Sequence, residues 1–534
     1  MPFPIKLTSI IAALASLLIL PFFLKPHQNL LGKADDSLVV VSPHNEAVRY
    51  EFAHAFCEHY KKKTGRSIRV DWRLPGGTSE ISRYLTGEYL AAFRYAWESS
   101  GRLWTLQVAS AFDNPSIQPS DDMASDDSDE AVRRAFLHSN TGIGIDVFFG
   151  GGAYDFELQA AAGRLVPSDV LRRRPDWFGG NSIPRVVSGE KFYDERGLWF
   201  GASLSSFGFC YNTDSLRRLG VDKLPSSWGD LADPIFRREV ALADPTKSGS
   251  AAKAFEMIIQ QQMQECVSAS GCASPSALAE GWARGLKIIQ AASANARYFT
   301  DSAPRIPLDV SQGDAAIGMC IDFYGRFQSE AVRTLEGRSR LQYLTPIGGS
   351  SIGVDPVAIL RGAPNRRAAE EFVEFVLSLE GQKIWNFKVG VPGGPVKYAL
   401  RRLPIRKELY STEMRALRSD PDVQPYEEAR FFIYHPEWTS PVFRSMAFII
   451  RVVFMDLHSE LVSAWDAIAC AGFPESAVRE FADISGVDYE SAFEKIRPAL
   501  ASKDRIAEVR LAKDLAEKFR ERYLLARRIA EKGE

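Results

Sequence analysis

The sequence lacks an excess of charge of either sign. Its 534 residues include 65 basic and 67 acidic side chains, and the formal net charge is −2. Proteins that bind nucleic acids usually carry a clear basic excess, so this balance argues against a polynucleotide partner. Hydrophobic residues make up 46% of the chain, which is enough to bury a large core in more than one domain.

The sequence also has few histidines and cysteines, and these do not follow a metalloprotease or zinc-binding pattern. None of the seven histidines lies in an H-E-x-x-H motif, there is no P-loop, and the six cysteines include no C-x-x-C pair. An enzyme is therefore disfavoured, and we expect no resident cofactor. Cys266 and Cys272 bracket a short loop, and the sequence leaves open whether they form a disulfide or remain free thiols.

The N-terminus carries a long uncharged hydrophobic run. Residues 7–24 read LTSIIAALASLLILPFFL, and the shortest segments that cross a bilayer have about 17 residues. Residues 1–36 are therefore predicted to be an export signal or a membrane anchor. The residues after Leu24 match a cleavage site poorly, which favours a retained anchor. We expect the rest of the chain on the periplasmic or extracellular face of the cytoplasmic membrane.

From Ser37 onward, short apolar runs alternate with segments of helical periodicity. The predicted strands include SLVVVS, SIRVDWRL, GIDVFFGGG and EVALAD. Strands separated by helices predict an α/β protein with mostly parallel sheets that are covered on both faces. The acidic stretch DDMASDDSDE lies within a segment of about 92–141 and predicts a solvated insertion.

The ends of the predicted strands carry the candidate ligand-binding residues, because parallel sheets bind ligands beyond the carboxyl ends of their strands. Four such joints read SPHNE, PGGTSE, DPTKSGS and IDFYG. Three of them lead into a helix N-terminus, where free N–H groups and the helix dipole can hold an anion. Ordinary helix capping by Ser, Thr or Asn is the alternative role at each joint. The candidates are His44, Asn45, Gly77, Thr78, Ser79, Lys247, Ser248, Gly249, Ser250, Asp322 and Tyr324.

The order of several longer segments resembles a known family. These segments are VVVSPHNEAV, IDVFFGGG, LPSSWGDLADP, EVALADPTKSGSA, QGDAAIGMCIDFYGRF and GVDPVAIL. Over about residues 37–395 the chain resembles the type 2 periplasmic (extracellular) solute-binding proteins of ABC importers, in the subgroup of ferric-iron-binding proteins and their organic-phosphate-binding relatives.

The resemblance implies two α/β lobes joined by a hinge, with a ligand held between them and passed to an ABC transporter permease. We expect the first lobe at 37–200 plus 346–400 and the second at 205–345. A helical C-terminal extension would occupy 401–534 and pack against the first lobe. A sensor that signals to a membrane partner is an alternative function, and an exported enzyme is a disfavoured one.

The resemblance leaves two classes of ligand open. Relatives that bind ferric iron use an adjacent tyrosine pair where this sequence has Phe323 and Tyr324, so one phenolate is missing. If iron is the transported ligand, the implied metal ligands are His44, Glu46 and Tyr324. The SGS joint after Lys247 offers N–H and hydroxyl donors, which suit a small anionic or phosphorylated solute better. We favour the anion.

Overall fold

The structure, a computed structural model, describes residues 34–119, 128–502 and 504–532. The hydrophobic run at 7–24 and most of the acidic stretch at 121–130 lie outside the described residues. Among the residues that are described, one helical segment, Pro436–Met455, is long and apolar enough to cross a membrane by length and composition. Of its most apolar window, 61% is buried within the protein, a pattern that core helices share.

The strands of the described chain form two large sheets and one hairpin. The strands are β1 Asp36–Val41, β2 Ile68–Arg73, β3 Val147–Phe149, β4 Leu165–Val166, β5 Val186–Val187, β6 Glu190–Lys191, β7 Phe200–Ser205, β8 Phe207–Asn212, β9 Val240–Ala243, β10 Ala296–Thr300, β11 Ile317–Ile321, β12 Leu341–Leu344, β13 Gly353–Leu360 and β14 Leu403–Pro404.

Helices cover both sheets and make up most of the C-terminal part. The α-helices are α1 Glu46–Thr64, α2 Thr78–Ser99, α3 Leu106–Ala111, α4 Asp129–His138, α5 Ala153–Ala161, α6 Val170–Arg173, α7 Thr213–Leu219, α8 Gly249–Ser270, α9 Pro275–Ala294, α10 Arg305–Gln312, α11 Asp322–Ala331, α12 Arg366–Leu377, α13 Leu379–Asn386, α14 Thr412–Arg415, α15 Pro425–Glu428, α16 Pro436–Thr439, α17 Phe443–Ile449, α18 His458–Cys470, α19 Glu475–Phe481, α20 Tyr489–Ser491, α21 Arg497–Ala501 and α22 Arg505–Lys532. Shorter 3-10 turns lie at Pro175–Trp177, Trp228–Ala232, Pro234–Phe236, Lys407–Tyr410, Ala429–Phe431 and Ser440–Val442, and π-helical turns at Ile450–Met455 and Ala492–Ile496.

The first lobe is built on a sheet of order β14-β7-β13-β3-β1-β2, with β4 added to β13. Strand β1 pairs in parallel with β2 and β3, whereas β13 pairs antiparallel with β3, β4 and β7. Helix α1 buries Phe52 and Phe56 in the core of this lobe. Helix α4, inside the predicted insertion, also buries Val132 and Phe136 in this core. The insertion is thus partly a packed element of the first lobe.

The second lobe is built on a sheet of order β10-β9-β11-β8-β12. Strand β9 is parallel to β10 and β11, and β8 is antiparallel to β11 and β12. The predicted two-lobed α/β fold is confirmed, but both sheets are mixed and not mostly parallel. The chain passes between the lobes on strands, because β7 leads into β8 after only Ser206 and β13 returns from the second lobe to the first. Strand β8 therefore runs against β11 in the second sheet, and β13 runs against β3 in the first.

The C-terminal extension packs differently from our expectation. Its first part, including Leu403 and Ala429, belongs to the core of the first lobe. From Phe432 to Ala530 its buried residues belong to the core of the second lobe. The prediction that the extension packs on the first lobe is therefore wrong for most of its length. The amphipathic faces of its helices fix their burial, but they do not specify which lobe they cover.

Specific hydrogen bonds also tie the extension to the second lobe. The Trp282 indole donates to the Val487 carbonyl at 3.0 Å. Gln290 on the same helix, α9, donates to the Phe481 carbonyl at 2.8 Å. Cys266 and Cys272, near the end of α8, are free thiols in this structure, the first buried and the second exposed.

Candidate functional site

A cavity of about 780 Å³ lies between the two lobes. It is lined by the N-cap residues of six α-helices: α1, α2 and α5 of the first lobe and α8, α10 and α11 of the second. These caps are Asn45, Gly77, Gly152, Ser248, Pro304 and Ile321. Each helix N-terminus carries the positive end of a dipole, but at the start of α10 the N–H groups of Arg305 and Ile306 already donate to carbonyls of the preceding turn. The helix ends therefore attract negative charge, whereas the lining side chains include seven Asp or Glu and four Lys or Arg.

Most of the residues proposed from the sequence meet in this cavity. The cavity lining includes His44, Asn45, Gly77, Thr78, Lys247, Ser248, Gly249, Ser250 and Tyr324. It does not include Ser79, Glu46 or Asp322. Glu46 is exposed on α1, and Ser79 is half-buried on α2.

Asp322 is engaged within the second lobe. It is fully buried, it pairs with Arg326 one helical turn later, and it accepts the Phe323 N–H at 2.8 Å. Burial raises the pKa of Asp322 to about 6. Its carboxylate thus holds the start of α11 and does not line the cavity.

The start of α2 comes very close to the start of α5. Their caps, Gly77 and Gly152, have no side chain that accepts a helix N–H. Gly151 has φ of +129°, and a Cβ at this position would lie 2.6 Å from Cγ2 of Thr78. Glycine is required here because a larger residue would push the two helix N-termini apart. These uncapped N–H groups are left for water or a ligand.

Three residues at the joint after β9 have different roles. Ser248 accepts the Ala251 N–H at 3.3 Å and so caps α8, as the ordinary alternative predicted. Ser250 lines the cavity, and among the described residues its hydroxyl forms a hydrogen bond only with the Ser248 hydroxyl, at 3.1 Å. Lys247 is half-exposed and forms an ion pair of 2.7 Å with Asp301. Ser250 is therefore the hydroxyl at this joint that is most available to a ligand.

Arg402, which the sequence analysis missed, is central to the site. Its guanidinium lies 2.7 Å from Nε2 of His44, pairs with Asp355, and stacks 3.9 Å from the centre of the Phe323 ring. Burial, and then the charges of Arg402 and Arg49, hold the pKa of His44 well below its usual value. His44 is therefore neutral.

The contact with Arg402 also fixes the histidine tautomer. A guanidinium only donates, so Nε2 of His44 accepts and we assign the ring proton to Nδ1. His44 Nδ1 and Arg402 Nε are both buried and have no hydrogen-bond partner within the described chain. Two donors within the wall thus lack acceptors, but neither atom is exposed at the cavity surface.

Asp155 is a second residue that the sequence analysis missed. It lines the cavity in the first turn of α5 and accepts a hydrogen bond from Ser82 at 3.1 Å. Burial raises its pKa to about 6. The carboxyl is therefore protonated in mildly acidic solution, where it can donate to an anion, and charged above that range.

The carboxylates at the rim are each paired. Glu80 bonds Arg83 at 2.9 Å, Glu157 bonds Lys191 at 3.1 Å, and Asp301 bonds Lys247. Each of these three carboxylates is thus balanced by a neighbouring base. In the described residues, no group of three or more His, Cys, Asp or Glu side chains is arranged to hold a metal ion.

The chain also contains one match to a hydrolase motif. Residues 349–353 read GSSIG, which fits the spacing G-x-S-x-G of a nucleophile elbow. Its serine, Ser351, is fully buried and donates to Glu190 at 2.6 Å. A serine nucleophile needs an exposed hydroxyl and a neighbouring base, usually histidine, so this stretch has a structural role.

Part of the chain is similar to a family of known proteins. Residues 163–410 match a family model described as bacterial extracellular solute-binding protein. This part of the chain is similar to the extracellular solute-binding proteins. An uncharacterized protein of Haemophilus influenzae is 27% identical over 243 residues, which is 45% of this chain and 60% of that relative's length. The match therefore spans well under the full length of either protein.

Two solved structures align with most of this chain at low sequence identity. The periplasmic binding protein AfuA from Actinobacillus pleuropneumoniae, with exogenous fructose-6-phosphate bound, is 17% identical, with a TM-score of 0.49 over 79% of this chain and 100% of AfuA. Iron-bound HitA from Pseudomonas aeruginosa is 16% identical, with a TM-score of 0.46 over 77% of this chain and 98% of HitA.

Proposed function

We propose that this solute-binding protein captures a small anionic or phosphorylated solute between its lobes and delivers it to an ABC importer. The observation that carries the proposal is the convergence of six helix N-caps on one inter-lobe cavity. A phosphate group accepts several hydrogen bonds at once, and helix N-termini are common sites for such groups. The uncapped starts of α2 and α5 and the Ser250 hydroxyl supply the donors.

The electrostatics around Arg402 support an anion over ferric iron. A cation held by His44 and Tyr324 would sit beside the guanidinium, which contacts His44 at 2.7 Å. The guanidinium is paired with Asp355, so its charge opposes a trivalent ion only in part. In the assigned tautomer Nε2 of His44 is already occupied and Nδ1 carries a proton, so neither nitrogen is a free metal ligand. Phe323 replaces the second phenolate that ferric-binding relatives use.

The family description and the N-terminal sequence support the proposed location and delivery. The family description names extracellular proteins, and residues 1–36 have the composition of an export signal or anchor. Closure of two lobes around a solute gives a permease two shapes to distinguish. We propose that the chain works outside the cytoplasmic membrane and passes its solute to a membrane permease.

Titration calorimetry on the full chain tests this function with two probes, inorganic phosphate and ferric nitrilotriacetate. We expect phosphate to bind at one site per chain and ferric ion to bind weakly or not at all. Phosphorus NMR of a recovered phosphate ester should show it chemically unchanged. Tight ferric binding without any phosphate binding would overturn the proposed ligand class, and conversion of the ester would favour an enzyme.

A further inference from the structure

A second polar cluster lines the same cavity, and it is built around Lys253. The ammonium of Lys253 lies 3.0 Å from Glu190, 2.9 Å from Glu256 and 3.5 Å from the centre of the Tyr434 ring. All four residues line the cavity. Glu190 belongs to strand β6, Lys253 and Glu256 to helix α8, and Tyr434 to the C-terminal extension.

This cluster has an excess of one negative charge. It contains two buried carboxylates, Glu190 and Glu256, and one ammonium. Burial alone would lower the pKa of Lys253, but Glu190 and Glu256 raise it well above its usual value, so the lysine is charged. Burial raises the pKa of Tyr434, which is neutral. A buried carboxylate without full compensation is costly unless a ligand donates hydrogen bonds to it.

One carboxylate oxygen of the cluster remains available. Oε1 of Glu256 accepts from the Tyr434 hydroxyl at 2.9 Å and from the Thr439 hydroxyl, and Oε2 of Glu256 forms an ion pair with Lys253. Oε1 of Glu190 accepts from Ser351 and pairs with Lys253. For Oε2 of Glu190 the described part of the chain provides no hydrogen-bond partner. The available group at this end of the wall is therefore an acceptor, whereas the helix N-termini offer donors.

The extension supplies the remaining wall of this region. Its residues Tyr434, Pro436, Ser440 and Phe443 line the cavity and lie outside the segment that matches the family model. The Phe443 ring lies 4.9 Å, between ring centres, from Tyr154 of the first lobe. The segment is held in place because the Tyr434 N–H donates to the Ser188 carbonyl at 2.7 Å. Aromatic rings beside a carboxylate suit a carbon skeleton that carries polar groups.

The size of the cavity also favours an organic ligand. At about 780 Å³ it falls in the range of about 300–1,000 Å³ that accommodates organic ligands. A bare phosphate ion would fill a small part of it and would leave the Glu190 region without a ligand contact.

The helix N-termini offer hydrogen-bond donors, whereas Glu190 offers an acceptor. From this difference we infer that the solute is an organic phosphate whose carbon skeleton carries hydrogen-bond donors. Glu190, with Tyr434 and Ser440 of the extension, forms the subsite that recognises these donors. The inference rests on the proposed anion-binding function. The group on the carbon skeleton that donates to Glu190 is either a hydroxyl or an ammonium group.

Calorimetry of the full chain with three probes tests the inference. The probes are inorganic phosphate, glucose 6-phosphate, which carries hydroxyl donors, and phosphoethanolamine, which carries an ammonium. A hydrogen bond to a charged group changes affinity by about 10- to 100-fold. We expect at least one organic phosphate to bind more tightly than inorganic phosphate by that factor, and the better of the two identifies the donor.

Two matched variants localise the effect. Glu190→Gln keeps the size of the side chain but removes its charge, and we expect it to abolish most of the advantage of the organic phosphate while leaving inorganic phosphate affinity unchanged. Glu157→Gln changes a paired rim carboxylate of the same cavity, with a side chain 45% exposed, and should alter neither. Thermal melts verify that both variants fold. The comparison of the three probes on the unaltered protein tests the inference even if a variant fails to fold.

The outcomes separate this inference from the proposed function. If none of the three phosphates binds, the anion-binding function itself fails. If inorganic phosphate binds as tightly as both organic phosphates, or if folded Glu190→Gln binds all probes as the unaltered protein does, the second subsite is overturned and the anion site stands.

Discussion

The two serines at the start of α8 give a sharp test of the anion site, because their hydroxyls have different structural roles. Ser248 caps the helix by accepting the Ala251 N–H. Within the part of the chain that the structure describes, the Ser250 hydroxyl forms a hydrogen bond with the Ser248 hydroxyl and with no backbone group. Both line the cavity, they are two residues apart, and both can be changed to alanine without adding bulk.

The expected magnitudes follow from these roles. Ser250→Ala should remove one hydrogen bond to a charged ligand, worth about 1.5–3 kcal/mol, or about one to two orders of magnitude in affinity. It should change the free energy of unfolding by less than about 0.5 kcal/mol. Ser248→Ala should lower the free energy of unfolding by about 0.5–1 kcal/mol, because caps contribute about 1 kcal/mol and this one is long at 3.3 Å.

Titration calorimetry with inorganic phosphate measures the affinity of both variants, and urea unfolding without ligand measures their stability. We expect the larger affinity loss in Ser250→Ala and the larger stability loss in Ser248→Ala. Unchanged affinity in both folded variants would exclude this joint from the binding site and refute the assignment of its donors to an anion.

Four further predictions test other parts of the site. Because the pKa of Asp155 is about 6, its charge should weaken anion binding by up to about tenfold per pH unit above 6. Asp155→Asn should lose this part of the pH dependence when its affinity is compared with that of the unaltered protein at each pH. Identical pH profiles of the two proteins would contradict this role of Asp155. Tyr324→Phe should weaken phosphate binding by at most about 0.5–1.5 kcal/mol, one neutral hydrogen bond, whereas loss of a tight ferric site would support iron. Solution scattering should show a smaller radius of gyration when a phosphate ester is added, and an unchanged radius at saturation would exclude lobe closure. Cell fractionation should recover the full-length chain outside the soluble cytoplasm, and its recovery there would refute export.

The fold and part of the site could be predicted because their signals are local. Strand, joint and helix follow one another along the chain, so joints such as residues 244–250 identify the sheet edge that faces the cavity. Arg402 could not be found in this way, because it reaches His44 from 358 residues further along the sequence. The prediction for Asp322 placed it at the ligand, but a partner one helical turn away holds it in the core.

The lobe that the C-terminal extension covers also lay beyond local patterns. The apolar stripe of α22 indicates that one face is buried, and the structure buries Phe519 and Tyr523 in the second lobe. Nothing in that periodicity distinguishes one apolar surface from another. The contribution of Tyr434 to the cavity depends on the same long-range packing and was missed for the same reason.

Native mass spectrometry of the full chain, incubated with a mixture of organic phosphates, inorganic phosphate and ferric citrate, compares the ligand classes most directly. We predict that one organic phosphate binds non-covalently per chain and is released unchanged when the protein unfolds. Retention of ferric ion in its place, or no retained phosphate of any kind, would contradict a site formed by helix N-termini for an organic phosphate.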